Sequence, residues 1–149
     1  MRNFRCAPMK NGIRVGVVGV GARGIGAVNR LMLVPGVTVV AVCDIRPEYA
    51  EKGAKAVFDK TGVRPLVFSG SDVEYKRLCD SPSVDVVYNA TSWNAHVPVS
   101  VCAMKAGKHT FIEVPSAMFV DECWELVEAS EKFQIPDWRH ASITFTSFS

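Results

Sequence analysis

The sequence predicts an α/β fold, a doubly wound parallel sheet in a single domain. Three observations support this. Short apolar segments typical of strands alternate with segments of helical periodicity along most of the chain. No hairpin signal joins two strands, so the strands are expected to be parallel. The first strand runs directly into a glycine-rich turn that opens a helix. Right-handed crossovers then favour the strand order 3-2-1-4-5.

Five strands are predicted from short apolar runs rich in β-branched residues. They are Ile13–Val18, Val37–Cys43, Pro65–Phe68, Val84–Ala90 and His109–Ile112. The last fourteen residues leave two interpretations open. They form a sixth strand over Ala141–Thr146, where apolar residues alternate with threonines, or they form a disordered tail.

The helices are predicted from apolar residues three and four positions apart, and from residues typical of helix ends. They are Ile25–Leu33, Pro47–Lys60, Val73–Cys79, His96–Ala106 and Asp121–Phe133. Pro47 suits a first helical position, and Gly62 and Gly107 suit the positions after helix ends. Asp121 is predicted to cap the last helix.

The turn after the first strand reads GVGARG. Gly19 permits a tight turn, Gly21 lets the backbone approach a pyrophosphate, and Gly24 allows the helix to pack closely on the strand. Ala22 and Arg23 lie where the helix directs its free N–H groups and the positive end of its dipole towards an anion. The alternative for Arg23 is a surface side chain without a phosphate contact. The pattern predicts a dinucleotide-binding site.

Asp44 follows the second strand, 20 residues after Gly24. A carboxylate at this position accepts hydrogen bonds from the adenosine ribose hydroxyls. The alternative is a solvated acid at a strand end. Arg46 could pair with the 2′-phosphate of NADP, but Asp44 would repel that phosphate. The sequence therefore predicts NAD as the cofactor.

Composition excludes several classes of function. Of the 149 residues, 48% are hydrophobic, and the net charge is +2 with no lysine or arginine cluster, so nucleic acid is not expected as a partner. No apolar run suits a membrane span, and the N-terminus lacks the apolar region of a secretory signal. The five scattered cysteines lack metal-ligand spacing. We expect a cytoplasmic protein with reduced thiols and no metal site.

Four motifs in succession resemble the Gfo/Idh/MocA oxidoreductases. They are the GVGxRG turn, the CD pair after the second strand, a T-x-W-x-x-H loop after the fourth, and an A-G-K-H-x-x-x-E-x-P run around the fifth. The resemblance covers roughly Gly12 to Ile135. It implies an NAD-binding Rossmann domain over residues 12–135, preceded by a tail at 1–11 and followed by a tail or sixth strand at 136–149.

The resemblance implies that Thr91, Trp93, His96 and Glu113 lie near the nicotinamide of NAD. The alternatives are ordinary ones: Trp93 packs on the rim of its own domain, and His96 is a neutral capping or packing histidine. Most members of the family carry a lysine between the glutamate and the proline, where this chain has Val114. A valine cannot protonate a substrate hydroxyl. NAD-dependent glycosidases of the α-N-acetylgalactosaminidase type share the valine, so the chain is similar to that branch.

In that branch, tightly held NAD removes a hydride from C3 of a sugar and returns it after elimination and water addition. The family's second α/β domain supplies most substrate contacts, and nothing in the 149 residues is long enough to be that domain. Catalytic residues are therefore not assigned, and uncovered apolar surface is expected to cause self-association. The alternatives are an NAD-binding fragment or sensor without catalysis, and an ordinary sugar dehydrogenase. A methyltransferase using S-adenosylmethionine is disfavoured by the Glu113-Val114-Pro115 run.

Overall fold

The computed structural model describes residues 12–133 and the backbone of residues 144–146. The strands are β1 (Ile13–Val18), β2 (Val37–Asp44), β3 (Leu66–Ser69), β4 (Val86–Asn89), β5 (His109–Glu113) and β6 (Thr144–Thr146). The helices are α1 (Ala22–Leu31), α2 (Pro47–Thr61), α3 (Tyr75–Cys79), α4 (Trp93–Lys105) and α5 (Val120–Lys132). All strand pairs are parallel, in the order β3-β2-β1-β4-β5-β6.

The predicted fold class and the predicted order 3-2-1-4-5 are confirmed. The sixth strand adds to the edge of the sheet, where Phe111, Ile112 and Glu113 of β5 pair with residues 144–146. The last half of the strand predicted over Ala141–Thr146 is thus confirmed. Residues 141–143 lie outside the described residues, as do the predicted tail at 1–11 and most of the segment 136–149.

Helices α1 and α4 each begin three residues earlier than predicted. Helix α1 begins at Ala22 rather than Ile25, and α4 begins at Trp93 rather than His96. In both cases the first helical turn contributes few side chains to the core, so the apolar periodicity does not reveal it. Helix α3 begins later than predicted, at Tyr75, because Val73 and the residue after it form a turn.

The predicted cap of α5 is wrong. The helix begins at Val120, so Asp121 is already its second residue. The carboxylate of Glu122 takes the capping role, because its Oε2 atom accepts hydrogen bonds from the main-chain N–H groups of Met118 (2.7 Å) and Phe119 (3.2 Å). In a capping box, the side chain at the third helical position likewise accepts hydrogen bonds from free N–H groups at the start of the helix.

Helices cover both faces of the sheet. Helices α1 and α2 pack on one face, where Val17, Val28 and Val57 are almost fully buried. Helices α3, α4 and α5 cover the other face, around Leu78 and Ile112. Successive strand residues point to opposite faces of the sheet, and helices cover both faces. The central strands are therefore apolar on both sides. Among the described residues, the edges of the sheet and the strand ends remain open to a ligand.

Three further observations on the described residues concern a membrane span, a metal site and the state of the cysteines. No helix there is long and apolar enough to cross a membrane. No group of three or more histidine, cysteine, aspartate or glutamate side chains in that part of the chain is arranged to hold a metal ion. The four cysteines it contains, Cys43, Cys79, Cys102 and Cys123, are free thiols.

Candidate functional site

A cleft of about 560 Å³ opens at the carboxyl end of the central strands. The loops after β1, β2, β3 and β4 line it. Strand order reverses between β1 and β4, and doubly wound sheets bind their ligands at that switch point. Six of the ten predicted site residues line the cleft: Gly19, Gly21, Ala22, Arg23, Asp44 and Thr91.

Two glycines of the turn are required by the protein itself. Gly19 has φ +84°, and a Cβ atom there would lie 2.6 Å from the carbonyl oxygen of Ala90. Its N–H donates to the carbonyl of Cys43 at 2.8 Å, which joins the turn to β2. A Cβ atom on Gly24 would collide with the carbonyl oxygen of Gly19. The tight turn and the close approach of α1 both agree with the sequence interpretation.

Gly21 is different, because no atom of the described residues requires a glycine there. Its φ is −66°, an ordinary value for any residue, and a Cβ atom would meet no heavy atom of the described part of the chain within 4 Å. Gly21 is the N-cap of α1, and no described side chain caps that helix. The space above Gly21 and the first N–H groups of α1 therefore remains available to an anionic group.

Asp44 lies at the end of β2 with only 9% of its surface exposed, so the alternative of a solvated acid is wrong. Its Oδ2 atom accepts a hydrogen bond from the N–H of Val20 at 2.7 Å, and its Oδ1 atom accepts one from the N–H of Arg46 at 2.9 Å. A carboxylate oxygen can accept more than one hydrogen bond, so both atoms keep capacity for ribose hydroxyls. The residue lines the cleft in a fixed orientation.

The wall beyond Asp44 contains an arginine held by a tyrosine. The guanidinium of Arg46 lies 5.1 Å from the ring centroid of Tyr49, and its Nη1 atom donates to the Tyr49 hydroxyl at 3.1 Å. A cation over an aromatic face is attracted to it. Both residues line the cleft, and Tyr49 was not predicted from the sequence.

Sequence reasoning also missed the loop after β3. Ser71, Asp72 and Tyr75 line the cleft beside the end of β2. The predicted order 3-2-1 contained the signal, because it places β3 next to β2 and brings its carboxyl end to the same side. Burial raises the pKa of Tyr75, with further contributions from nearby thiols and Asp72, so its phenol stays a neutral hydrogen-bond donor at neutral pH.

Asn89 positions the loop after β4 and was also missed. The side chain is fully buried. Its Nδ2 atom donates to the carbonyl of His96 (2.8 Å) and to Ser100 Oγ (2.9 Å), and its Oδ1 atom accepts from the Thr91 hydroxyl (2.7 Å). The sequence signal was a lone amide at the end of an apolar run. These bonds hold Thr91 at the edge of the cleft.

His96 joins two loops instead of lining the cleft. It is 1% exposed, its Nδ1 atom lies 2.6 Å from the carbonyl oxygen of Pro115, and its Nε2 atom lies 3.1 Å from that of Thr91. Carbonyl oxygens only accept hydrogen bonds, so the ring must be the donor in such a bond, and each neutral tautomer donates to one of the two carbonyls. The packing alternative describes this geometry, and direct contact of His96 with a cofactor stays a prediction.

Glu113 and Trp93 also lie outside the cleft lining. Glu113 is 6% exposed, and its Oε1 atom accepts a hydrogen bond from the Tyr88 hydroxyl at 2.7 Å. Trp93 is exposed at the start of α4. The cleft thus brings together groups suited to a pyrophosphate and a ribose, whereas the contacts implied for the nicotinamide end stay predictions.

A family model described as "Oxidoreductase family, NAD-binding Rossmann fold" matches residues 13–135. Among curated proteins, the chain is 45% identical over 125 residues to glycosyl hydrolase family 109 protein 1 of Phocaeicola vulgatus, covering 84% of this chain and 26% of that protein. It is 40% identical over 126 residues to the family 109 protein of Porphyromonas gingivalis, covering 84% and 27%. The chain spans about a quarter of the length of these relatives.

Solved structures show the same fold. Myo-inositol dehydrogenase from Lactobacillus casei, in complex with NAD(H) and myo-inositol, is 26% identical with a TM-score of 0.70, over 81% of this chain and 34% of that one. Scyllo-inositol dehydrogenase from the same organism has a TM-score of 0.71 at 18% identity, over 91% and 35%, and shows the fold alone. The family model covers most of the chain, and the cleft agrees with it at the glycine turn and at Asp44. The chain therefore belongs to the Gfo/Idh/MocA oxidoreductase family and forms an NAD-binding Rossmann domain.

Proposed function

We propose that this domain holds NAD for chemistry on a sugar by the redox-elimination route of NAD-dependent glycosidases. The observation that carries the proposal is the 40–45% identity to proteins named glycosyl hydrolase family 109. Val114 supports it, because that residue follows β5, where most of the family has a lysine, and its exposed side chain has no proton to transfer.

NAD, when bound, accepts a hydride and can return it. The residues of this chain bind and orient it. The first turn of α1, with Gly21, Ala22 and Arg23, faces the pyrophosphate, and the Asp44 carboxylate accepts hydrogen bonds from the adenosine ribose. The Asp44 carboxylate would repel the negatively charged 2′-phosphate of NADP. This repulsion supports NAD over NADP as the cofactor.

Three residues are proposed to lie near the nicotinamide, namely Trp93, His96 and Glu113. The ring nitrogens of His96 and one carboxylate oxygen of Glu113 already have partners inside the domain. General acid–base catalysis requires a group within hydrogen-bond reach of the substrate. We therefore expect the 149-residue chain to bind NAD without turning over a sugar, which is also the behaviour of the alternative, an NAD-binding sensor.

The first test measures NAD binding by calorimetry and turnover with an aryl N-acetylgalactosaminide and a panel of sugars. Phenol release and NADH absorbance are followed together. Binding without turnover is the expected result. Turnover above background that disappears in Glu113→Gln or His96→Ala would show that the chain is a complete enzyme.

The second test separates the glycosidase route from an ordinary dehydrogenase, the alternative favoured by the likeness to myo-inositol dehydrogenase. Residues 13–135 replace the matching segment of the Phocaeicola vulgatus relative. The glycosidase route regenerates NAD in each turnover, so phenol should appear without accumulated NADH. Stoichiometric NADH without phenol would favour the dehydrogenase.

Self-association and location are also proposals. Trp93, Val114 and Met118 are exposed near the carboxyl end of the sheet, and apolar patches of a few hundred Å² tend to find a partner. We expect light scattering to show association that rises with concentration, and a monomer at high concentration would contradict this. The free thiols of Cys43 and Cys79 support a reducing, cytoplasmic location.

A further inference from the structure

Helix α5 carries two apolar rows, and only one of them packs inside the domain. Leu126 and Ala129 face inwards against α4 and β5. On the outer side lie Val120, Trp124 and Val127, which are 72%, 62% and 40% exposed. A helix at the surface of a soluble domain needs a single apolar stripe facing its core. The outer row, called here the α5 stripe, therefore has no role in the described fold.

An acidic row runs beside the α5 stripe. Asp121, Glu125 and Glu128 each follow a stripe residue by one position, so they line one flank of it along the helix. Glu131 continues the stripe at its carboxyl end. In the part of the chain that the structure describes, none of these four carboxylates forms an ion pair. Lys132, four residues after Glu128, ends the same flank with a positive charge. The surface thus combines an apolar strip with a flank that carries three carboxylates and one lysine.

We propose that the α5 stripe is a docking surface for a basic amphipathic helix of a protein partner. A row of apolar residues at positions i, i+4 and i+7 fits the ridge of a second helix. Lysine or arginine side chains along one edge of that helix would face the acidic row. Trp124 lies at the centre of the stripe, and tryptophan is among the residues that most often dominate binding energy at interfaces.

A second copy of this chain is a poorer occupant. Two α5 helices related by a perpendicular two-fold axis run antiparallel, and equivalent flanks then face each other. Asp121, Glu125 and Glu128 would meet the same three residues of the other copy. Juxtaposed like charges oppose association and select against the wrong partner.

The probe is a synthetic helical peptide with leucines at i, i+3, i+4 and i+7 and lysines along one flank. A matched peptide carries glutamate at every lysine position. We expect calorimetry to show that the full chain binds the lysine peptide at least about tenfold more tightly than the glutamate peptide. The double variant Glu125→Lys/Glu128→Lys should reverse that preference, which a merely unfolded protein would not do.

Trp124→Ala should weaken binding of the lysine peptide about tenfold or more. Phe58→Ala is the control, because Phe58 is a half-exposed aromatic on α2, away from the stripe. Circular dichroism checks that all variants fold. Equal affinity for the two peptides, or equal effects of Trp124→Ala and Phe58→Ala, would overturn the proposal. A dimer in light scattering that Trp124→Ala abolishes would overturn it in favour of a second copy.

Discussion

The Oδ2 atom of Asp44 accepts a hydrogen bond from the main-chain N–H of Val20 at 2.7 Å. This bond joins the end of β2 to the second residue of the glycine turn. The acid that is proposed to hold the ribose therefore also fixes the turn that is proposed to hold the pyrophosphate. Hydrogen bonds to charged groups contribute about 1.5–3 kcal/mol, so the link is strong enough to couple stability and binding at this position.

Asp44→Ala should weaken NAD binding at least several-fold and also lower the free energy of unfolding by about 1–3 kcal/mol, because the buried N–H of Val20 loses its acceptor. Calorimetry measures the first effect and urea unfolding the second. Glu48→Ala is the control, an exposed acid nearby at the start of α2. The unchanged protein should prefer NAD to NADP, and equal affinity for the two would contradict the role given to Asp44.

Gly21 and Gly24 should respond differently to substitution. Gly21→Val should abolish tight NAD binding by blocking the backbone's approach to the pyrophosphate, yet cost only about 1 kcal/mol of stability at a helix cap. Gly24→Ala should destabilise the fold by about 1–3 kcal/mol or more, since its Cβ atom meets the Gly19 carbonyl. Thermal unfolding and calorimetry compare the two. If Gly21→Val binds NAD as tightly as the parent, the pyrophosphate site is elsewhere.

His96→Ala should loosen both loops that the imidazole joins. The carbonyls of Thr91 and Pro115 each lose a buried contact, with an expected cost of about 2–4 kcal/mol in unfolding free energy. Amide hydrogen exchange at Thr91 and Ser116 should become faster, and NAD affinity should fall. Lys105→Ala, at the other end of α4, is the control and should change none of these. Unchanged exchange in His96→Ala would show that the loops hold each other without the ring.

Stability should fall as the solution is acidified. Hydrogen bonding to Arg14 lowers the pKa of Asp85 in the folded protein. The pair therefore stabilises the fold at pH values above the pKa that Asp85 has in the unfolded chain. This stabilisation is lost as the pH drops through the lower pKa of the folded state. Burial lowers the pKa of His109, so the folded state resists protonation and loses stability below about pH 6.5. Both effects have the same sign.

Urea unfolding between pH 7 and pH 2 checks this dependence. Asp85→Asn should flatten the acidic part of the profile, and His109→Gln should flatten the part just below neutrality. A stability that rises or stays constant on acidification in the unchanged protein would contradict both assignments.

Buried thiols should resist alkylation. Burial raises the pKa of Cys43 to about 12, and the charge of Asp44 adds to the effect. Burial likewise raises the pKa of Cys79. Because the thiolate is the reactive form, iodoacetamide at pH 8 should modify exposed Cys123 and spare the other two. Peptide mapping by mass spectrometry reads the sites, with urea-denatured protein as the control; labelling of Cys43 at the rate of Cys123 would refute the assignment.

Much of the site could be predicted because its signals are local. The glycine turn, the carboxylate after β2 and the strand order follow from short patterns and from the handedness of crossovers. The helix starts at Ala22 and Trp93 were missed, because apolar periodicity records core-facing residues and those first turns contribute few. The cap of α5 was missed because Asp121 has the right residue type, whereas Glu122 has the right position for the bonds.

By itself, the sequence determined that this chain is a doubly wound parallel sheet with a nucleotide-binding turn and an acid to follow it. Only the tertiary structure decided what His96 and Glu113 touch. Their partners, Pro115 and Tyr88, lie 19 and 25 residues away along the chain. No periodicity encodes such pairs, because they form when separate strands bring their ends together, and burial then requires each polar group to find an acceptor or donor there.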